Sequence, residues 1–242
     1  MRISIASLNL WNTEHLEKRL PALRSFLSTY DADIFLFQEI RDELIDEFKD
    51  VLKEHDYIIG DDLGWRQESN IFYKRDMFTL LDFGRIDLDM PEKDRGVFWV
   101  KLQDKRDNKV FFASTIHLTW QGNADEVRTG LPYRHREAHD IVKKFPPIFK
   151  DNPVFIAGDF NDPLHPGRIL SEAGFKDVFT LLHEPHPLTF PCLGLTDEEY
   201  LAEGIDKLMV IGFKPLMASS PHFYIPGSTL SDHYPLVAML EL

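Results

Sequence analysis

The sequence predicts an α/β protein in which two packed sheets are flanked by helices. Three observations support this fold class: strand-like runs alternate with amphipathic helical segments, strands outnumber helices, and the strand rhythm repeats in two halves. No low-complexity linker separates the halves, and 242 residues with 43% hydrophobic content can bury one sizeable core. We therefore expect one domain over residues 1–242.

The N-terminal part of the chain predicts two strands and two helices. Residues 2–10 (RISIASLNL) alternate apolar and small polar side chains, and residues 31–37 (DADIFLF) form a more apolar strand. Between them, leucines at positions 16, 20, 23 and 27 recur at helical spacing, with Pro21 either starting or kinking the helix. A second helix is expected over residues 41–55.

The middle of the chain predicts an antiparallel meander. Four strand-like runs, joined by short polar turns such as DKRDNK, cover residues 70–75, 78–88, 96–102 and 109–118. The remaining expected elements are a helix from Tyr133 to Phe145 and strands at 152–160, 204–211 and 234–240.

The composition limits the class of protein. The net charge of −13 repels polyanions at long range, which argues against a general nucleic-acid binder unless a basic patch or bound cations reverse the field. No apolar run approaches the roughly 18 residues of a membrane span, and the N-terminus lacks a signal peptide's long apolar stretch. Cys192 is the single cysteine, so no intrachain disulfide can form. We expect a soluble, cytoplasmic protein whose excess acidic residues lie on solvated segments such as 41–50 and 195–204.

Polar side chains interrupt the predicted strands at their ends. They are Asn9, Glu39, His117, Asp159, Asn161, Asp206, Asp232 and His233. If these strand ends converge, the set offers carboxylates, carboxamides and imidazoles without a cysteine. Such a set suits a hard, oxygen-seeking cation such as Mg²⁺ or Mn²⁺, whereas zinc would favour a denser His or Cys cluster.

Each of these residues alone also has a structural interpretation. Asn9 and Asp159 are common turn formers, and Glu39 suits the first turn of a helix. A histidine such as His117, after an apolar run, is often a buried strand-end residue. The joint pattern favours a functional site over these separate interpretations.

The ordered motifs SLNLW, QEI, TIHL, GDFN, IDKLMV and SDHYP, which run from Asn9 to Pro235, resemble the endonuclease/exonuclease/phosphatase superfamily. GDFN and SDHYP are the most specific of them. The resemblance implies a four-layer α/β/β/α sandwich with two mostly antiparallel sheets, and an active-site cleft at one edge of those sheets. It also implies a divalent-metal-dependent phosphoesterase.

The resemblance assigns roles to the strand-end residues. Glu39 resembles the family's principal metal ligand, supported by Asn9 and Asp232 on the same ion. Asp159 resembles the residue that orients or deprotonates the attacking water, and Asn161 one that helps hold the phosphate.

The histidines also have counterparts in the family. His233 and Asp206 resemble its His–carboxylate pair, and His117 resembles its second active-site histidine. Glu68, in QESNIFYK, is similar to the acidic partner that some members give this second histidine; an exposed strand-edge glutamate is the alternative.

Substrate contacts are expected from the long segment 119–139 and from the meander. Trp120 and Arg134 are candidates for the cleft lining, although Arg134-x-x-Glu137 departs from the family's Arg-x-x-Gln pattern. Arg95 resembles a family arginine, with an exposed strand cation as the alternative. An aromatic such as Trp120 is also common in a core.

These residues predict hydrolysis of a small or lipid-derived phosphoester with Mg²⁺ or Mn²⁺ as cofactor. A DNA or RNA nuclease is the alternative, and it would require a basic cleft on the acidic surface. A nonenzymatic binding scaffold of the same fold is disfavoured because the candidate set is complete. The sequence predicts no oligomeric state.

Overall fold

Strands dominate the secondary structure, as the alternating pattern predicts. The structure, a computed structural model, describes residues 1–192 and 201–242. Within these residues the strands are β1 (Arg2–Asn9), β2 (Ile34–Gln38), β3 (His55–Tyr57), β4 (Ser69–Lys74), β5 (Phe78–Ile86), β6 (Val97–Asp104), β7 (Val110–His117), β8 (Val154–Asp159), β9 (Lys176–Asp177), β10 (Asp206–Ile211), β11 (Lys214–Ser219), β12 (Tyr224–Ile225), β13 (Ser228–Thr229) and β14 (Leu236–Glu241). The helices are α1 (Leu16–Tyr30), α2 (Asp42–Val51), α3 (Gly64–Gln67), α4 (Ala124–Thr129), α5 (Tyr133–Lys144), α6 (Pro146–Phe149), α7 (His165–Glu172) and α8 (Val178–Leu182).

Two six-stranded sheets form the centre of the fold. Sheet 1 has the order β11-β14-β1-β2-β4-β3, and sheet 2 has the order β5-β6-β7-β8-β10-β9. The pairs β1–β2 and β7–β8 are parallel, and the other pairs in the two sheets are antiparallel. The prediction of two mostly antiparallel sheets is confirmed.

Three apolar clusters separate four layers. The central cluster joins the inner faces of the sheets, with Ile5 of sheet 1 and Phe155 of sheet 2 among its members. A second cluster packs α1 and α2 on sheet 1, for example through Phe26, and a third packs α5 and α7 on sheet 2 through Ile141 and Leu170. The order of layers is therefore α/β/β/α, as predicted.

Two expected elements differ from the observed ones. The run 70–75 belongs to β4, which pairs with β2 and β3 in sheet 1, so the meander of sheet 2 contains only β5, β6 and β7. Helix α2 ends at Val51 instead of continuing to residue 55, because His55 is buried, starts β3 and has its Nε2 2.7 Å from the Ala32 carbonyl oxygen. Part of the predicted acidic segment 195–204 lies outside the described residues.

The inter-sheet face becomes polar toward one edge of the sandwich. Along β1, the side chains that alternate toward sheet 2 change from Ile3 and Ile5 to Ser7 and Asn9. Strand β7 ends in the same way, with His117. The apolar core thus gives way to buried polar groups where β1, β2, β7 and β8 end.

A hydrogen-bonded layer lies between the core and this edge. Gln38, at the end of β2, donates through Nε2 to Thr115 Oγ1 at 2.8 Å and to Ser7 Oγ at 3.2 Å, and all three side chains are buried. The bond to Thr115 joins sheet 1 to sheet 2, so it helps to fix the relative position of the two sheets just below the edge.

The helices of the described residues do not include a membrane span. Across residues 1–192 and 201–242, we find no helix that combines the length and the apolar character needed to cross a bilayer.

Candidate active site

A cavity of about 760 Å³ opens at the polar edge of the sandwich. The predicted residues that line it are Glu39, Arg95, His117, Trp120, Asp159, Asn161, Asp232 and His233. Its volume is within the range of sites that bind small molecules.

Asp159 is the centre of the site, at the end of β8. Its Oδ2 accepts a hydrogen bond from Asn9 Nδ2 at 3.0 Å, with His117 Nε2 at 3.5 Å and His233 Nε2 at 3.7 Å from the same oxygen. Its Oδ1 accepts from the backbone N–H of Asn161 at 2.8 Å. Burial raises the pKa of Asp159, and the two histidines act against that rise.

His117 contacts an acidic partner across the two sheets. Its Nδ1 donates to Glu68 Oε1 at 2.8 Å, which leaves Nε2 directed at the cavity. Glu68 immediately precedes β4 of sheet 1, and His117 ends β7 of sheet 2. Burial raises the pKa of Glu68, but the charge of Arg95 and the hydrogen bond from His117 outweigh it, so that the pKa is lowered overall.

His233 forms the other histidine–carboxylate pair, in which sheet 1 supplies the histidine and sheet 2 the carboxylate. Its Nδ1 donates to Asp206 Oδ2 at 2.8 Å. His233 precedes β14 of sheet 1, whereas Asp206 opens β10 of sheet 2. Burial opposes the charged imidazole, but the carboxylates of Asp206, Asp159 and Asp232 outweigh burial and raise the pKa of His233 well above its ordinary value.

Glu39 follows β2 and projects into the same cavity. Its two oxygens accept from Asn9 Nδ2 at 3.3 Å and from Asn12 Nδ2 at 3.2 Å, and His117 Nε2 lies 3.8 Å from Oε1. The backbone of Glu39 has a φ of 54°, which is rare for a residue other than glycine and indicates a fixed conformation.

The donor set fits a hard divalent cation. Burial raises the pKa of Asp232, nearby His233 acts against that rise, and the charges of Glu39 and Asp159 raise the pKa further, so that these carboxylates repel one another in the absence of a cation. Asn9 presents its Nδ2 to the carboxylates while its Oδ1 accepts from the Trp11 N–H at 2.9 Å. Asn9 therefore orients Glu39 here, and its amide would have to turn before its oxygen could ligate an ion.

Asn161 lies two residues after Asp159 and has a φ of 50°. Its Nδ2 donates to the Leu118 carbonyl at 2.8 Å, which uses one of the two amide protons and leaves the other for a ligand. Gly158 precedes Asp159 with a φ of 142°, and a Cβ there would lie 2.0 Å from the Ile116 carbonyl oxygen. Only glycine permits this close pairing of β8 with β7.

Trp120 and Arg95 lie at the rim of the cavity. Trp120 is 54% exposed, and its indole covers Gly122 so closely that a Cβ at position 122 would lie 2.1 Å from the ring. Arg95 lies with its Nε 3.3 Å from Glu68 Oε1, and its Nη1 donates to the Leu118 carbonyl at 3.3 Å.

Arg134 is placed elsewhere, contrary to the expectation that it contacts substrate. Its guanidinium is buried in α5, where Nη1 donates to Glu126 and Nε lies 3.3 Å from Asp162 Oδ2. It does not line the cavity. Because both carboxylates occupy its guanidinium, we leave it out of the substrate-contacting set.

Sequence reasoning missed other residues of the cleft. Asn12, which hydrogen-bonds Glu39, and Arg41, which lines the cavity, are examples. Asn12 lies three residues after Asn9 and Arg41 two residues after Glu39, and this proximity to predicted site residues was the available signal. Trp11 and Asn12 adopt positive φ values of 50° and 36°, a loop conformation that places them beside Glu39.

Comparison with known proteins gives a consistent picture. A sequence model described as the Endonuclease/Exonuclease/phosphatase family matches residues 6–178. A search of curated proteins found no match.

Three of the solved structures with a similar fold align over nearly their whole length. An endonuclease/exonuclease/phosphatase from Bacteroides vulgatus is 23% identical, with a TM-score of 0.80 over 100% of this chain and 99% of that one. D. rerio TDP2, complexed with single strand DNA product, is 17% identical, with a TM-score of 0.82 over 100% and 99%. A mannosyl-6-phosphatase from Bacteroides thetaiotaomicron is 21% identical, with a TM-score of 0.77 over 99% and 100%.

Proposed function

Because this chain belongs to the endonuclease/exonuclease/phosphatase family, we propose that it is a divalent-metal-dependent enzyme that hydrolyses a phosphodiester or phosphomonoester by in-line attack of water. The observation that supports this best is the convergence of two histidine Nε2 atoms on Asp159 Oδ2, beside the carboxylate of Glu39. The proposed enzyme is a single domain located in the cytoplasm.

Asp159 is the proposed water-orienting group. A phosphoester repels an incoming nucleophile, so the site must aim a water and accept its proton while neutralising charge. Burial raises the pKa of Asp159 and so makes its carboxylate a better proton acceptor. The Asn161 N–H fixes the other oxygen and thereby the direction of the carboxylate.

The two histidines are the proposed phosphoryl clamps. With each Nδ1 held by a carboxylate, each Nε2 can donate to a phosphoryl oxygen. The charged form of His233 suits an oxygen that gains negative charge in the transition state. The free amide proton of Asn161 would add a third donor.

Glu39 and Asp232, with Asn9 beside them, are the residues that would hold Mg²⁺ or Mn²⁺. When bound, such an ion polarises a non-bridging oxygen and stabilises the leaving oxygen. The support for this assignment is the mutual repulsion of buried carboxylates, which a cation would offset.

A small or lipid-derived phosphoester is the proposed substrate. The cavity volume suits one small molecule, and Trp120 offers an exposed indole to an apolar or ring-shaped substituent. Arg95 and Arg41 line the same cavity and would contact the phosphate. The relative named mannosyl-6-phosphatase is in line with a small substrate.

A nuclease acting on DNA or RNA is the second candidate. The same exposed indole next to two arginines could stack on a base and hold a backbone phosphate, and the TDP2 structure contains a single strand DNA product. The net charge of −13 disfavours docking of a long polyanion.

A metal-dependent activity panel tests the function directly. The substrates are bis-p-nitrophenyl phosphate, phosphomonoesters, sphingomyelin, and single- and double-stranded DNA. We expect EDTA to abolish turnover and Mg²⁺ or Mn²⁺ to restore it. Full activity in the chelated, metal-stripped protein would remove the metal from the proposal.

Salt dependence of binding separates the two substrate classes. A protein that neutralises several phosphates of duplex DNA shows a log–log slope near −0.9 per phosphate, whereas engagement of one phosphate gives a much shallower slope. We expect the shallow slope, and a higher kcat/KM for the small phosphoester than for duplex DNA at equal metal concentration. A slope of several units together with efficient plasmid cleavage would favour the nuclease.

A further inference from the structure

Outside the cleft, two histidines and an aspartate come together on the outer face of sheet 2. His135 is in the first turn of α5, His165 begins α7, and Asp162 lies in the loop that follows β8. One nitrogen or oxygen atom from each side chain lies within 4.8 Å of the other two. Asp162 and His165 are three residues apart in one turn, whereas His135 comes from α5, 27 residues before Asp162, so the packing of α5 completes the cluster.

The separations match a tetrahedral coordination site. His135 Nε2 lies 3.4 Å and His165 Nδ1 lies 3.5 Å from Asp162 Oδ2. With Zn–N and Zn–O bonds of about 2.0–2.1 Å, neighbouring ligand atoms of a tetrahedron are about 3.3–3.4 Å apart. Each histidine nitrogen therefore lies at nearly the tetrahedral edge length from Asp162 Oδ2, and all three atoms lie within 4.8 Å of one another.

The carboxylate of Asp162 is oriented and ionised in a way that suits a metal ligand. Its Oδ1 accepts backbone N–H groups of Leu164 and His165, each at 2.8 Å, which leaves Oδ2 for the histidines. Although burial raises the pKa of Asp162, these hydrogen bonds and the charge of Arg134 lower it overall, so the carboxylate is ionised. Arg134 lies 3.3 Å from Oδ2, but its charge is balanced by Glu126, which it also contacts.

We propose that His135, Asp162 and His165 bind one zinc ion, with water as the fourth ligand. Two imidazoles and one carboxylate form a set that suits zinc, whereas the oxygen-rich cleft suits magnesium. The ion would fasten α5 and α7 to the loop that holds Asn161, the neighbour of Asp162. The ion would stabilise the protein through this link, and the inference does not depend on the proposed phosphoesterase activity.

Zinc titration of the EDTA-stripped full chain tests the site. The Glu39→Gln variant serves as the background, because it weakens cation binding in the cleft and leaves the second site intact. Calorimetry in excess Mg²⁺ should show one zinc per chain in this background. Adding His165→Ala should weaken that binding about 100-fold or more, since loss of outer-shell partners alone costs about 10–100-fold. Zinc at 100 times its Kd should raise Tm by about 5 °C or more.

Matched controls separate ligation from folding. His139→Ala changes an exposed histidine one turn further along α5 and should leave zinc binding unchanged. His165 is also exposed, so His165→Ala should melt like its parent when metal is absent. His135→Gln provides a second ligand variant, expected to lose the same equivalent of zinc. The site is excluded if the background protein binds no zinc, or if the ligand variants bind it as tightly as the background does.

Discussion

The two histidine–carboxylate pairs of the cleft share one geometry but differ in their electrostatic surroundings. In both, Nδ1 donates to a carboxylate at 2.8 Å and Nε2 is directed toward Asp159. Glu68 faces the guanidinium of Arg95 as well as its histidine. Each histidine faces three carboxylates. They are Glu68, Asp159 and Glu39 around His117, and Asp206, Asp159 and Asp232 around His233.

This difference shows that the hydrogen bond alone does not define the role of a pair. The negative surroundings of His233 favour its imidazolium, which suits contact with a phosphoryl oxygen. Glu68 contacts both His117 and Arg95, so it links His117 to the side of the cleft where we propose that substrate binds. We expect the His233–Asp206 pair to contribute more to kcat and the His117–Glu68 pair to be more sensitive to the substrate used.

The largest effect is expected where the two pairs meet. Asp159→Asn is nearly isosteric, and it removes the charge that both Nε2 atoms approach. We expect kcat to fall by about two to four orders of magnitude, the range typical of losing a general base. Stopped-assay turnover and a thermal melt check this together: normal melting with wild-type turnover would mean that GDFN forms a turn and has no catalytic part.

The His233 pair should behave as one unit. His233→Ala should lower kcat by about 10²–10³-fold, and Asp206→Asn by a similar factor, because general acid–base and clamp contributions have this size. The double variant should be little worse than His233→Ala, since residues that act together are non-additive. Multiplication of the two single effects in the double variant would contradict the pairing.

A smaller effect is expected for the His117–Glu68 pair. Glu68→Gln keeps a hydrogen-bond acceptor for His117 but leaves Arg95 without its ion-pair partner. We expect a loss of about 10–100-fold in kcat/KM, the range for groups that orient a ligand without touching the reaction. The loss should appear in KM more than in kcat, in contrast to Asp206→Asn. Equal kcat losses in the two variants would show that the pairs are equivalent.

The smallest expected effect is a titration shift in metal-free protein. Because the pKa of His233 is raised on folding, its charge stabilises the fold fully below the ordinary histidine value of about 6.5. That contribution is lost as pH rises through the raised value of the folded state. Asp206→Asn should lower the pKa of His233, which an NMR titration of the His233 imidazole in wild type and variant can follow.

Much of the fold and the outline of the site were accessible from the sequence because both depend on local pattern. Apolar alternation marks the strands, and polar interruptions mark where they end. The strand at 70–75 was assigned to the wrong sheet because pairing partners such as β2 are distant in sequence and leave no local signal.

The detailed chemistry of the site depends on contacts that the sequence does not display. Arg134 looked available as a cation, but Glu126 and Asp162 reach it through the packing of α5. The orientation of the Asn9 amide, with its nitrogen toward Glu39, is likewise set by the Trp11 backbone N–H and by neighbouring carboxylates. The partner that each of these side chains takes depends on the donors and acceptors that folding brings near it.

Each histidine–carboxylate pair takes one member from sheet 1 and the other from sheet 2. The geometry of the active site therefore depends on the relative position of the two sheets. A slide of one sheet over the other by a single residue, about 3.3 Å, would separate both pairs at once while every strand kept its own ladder of hydrogen bonds. Heat or denaturant that loosens the contact between the sheets should therefore abolish activity at conditions where the far-UV circular dichroism is still that of the folded protein.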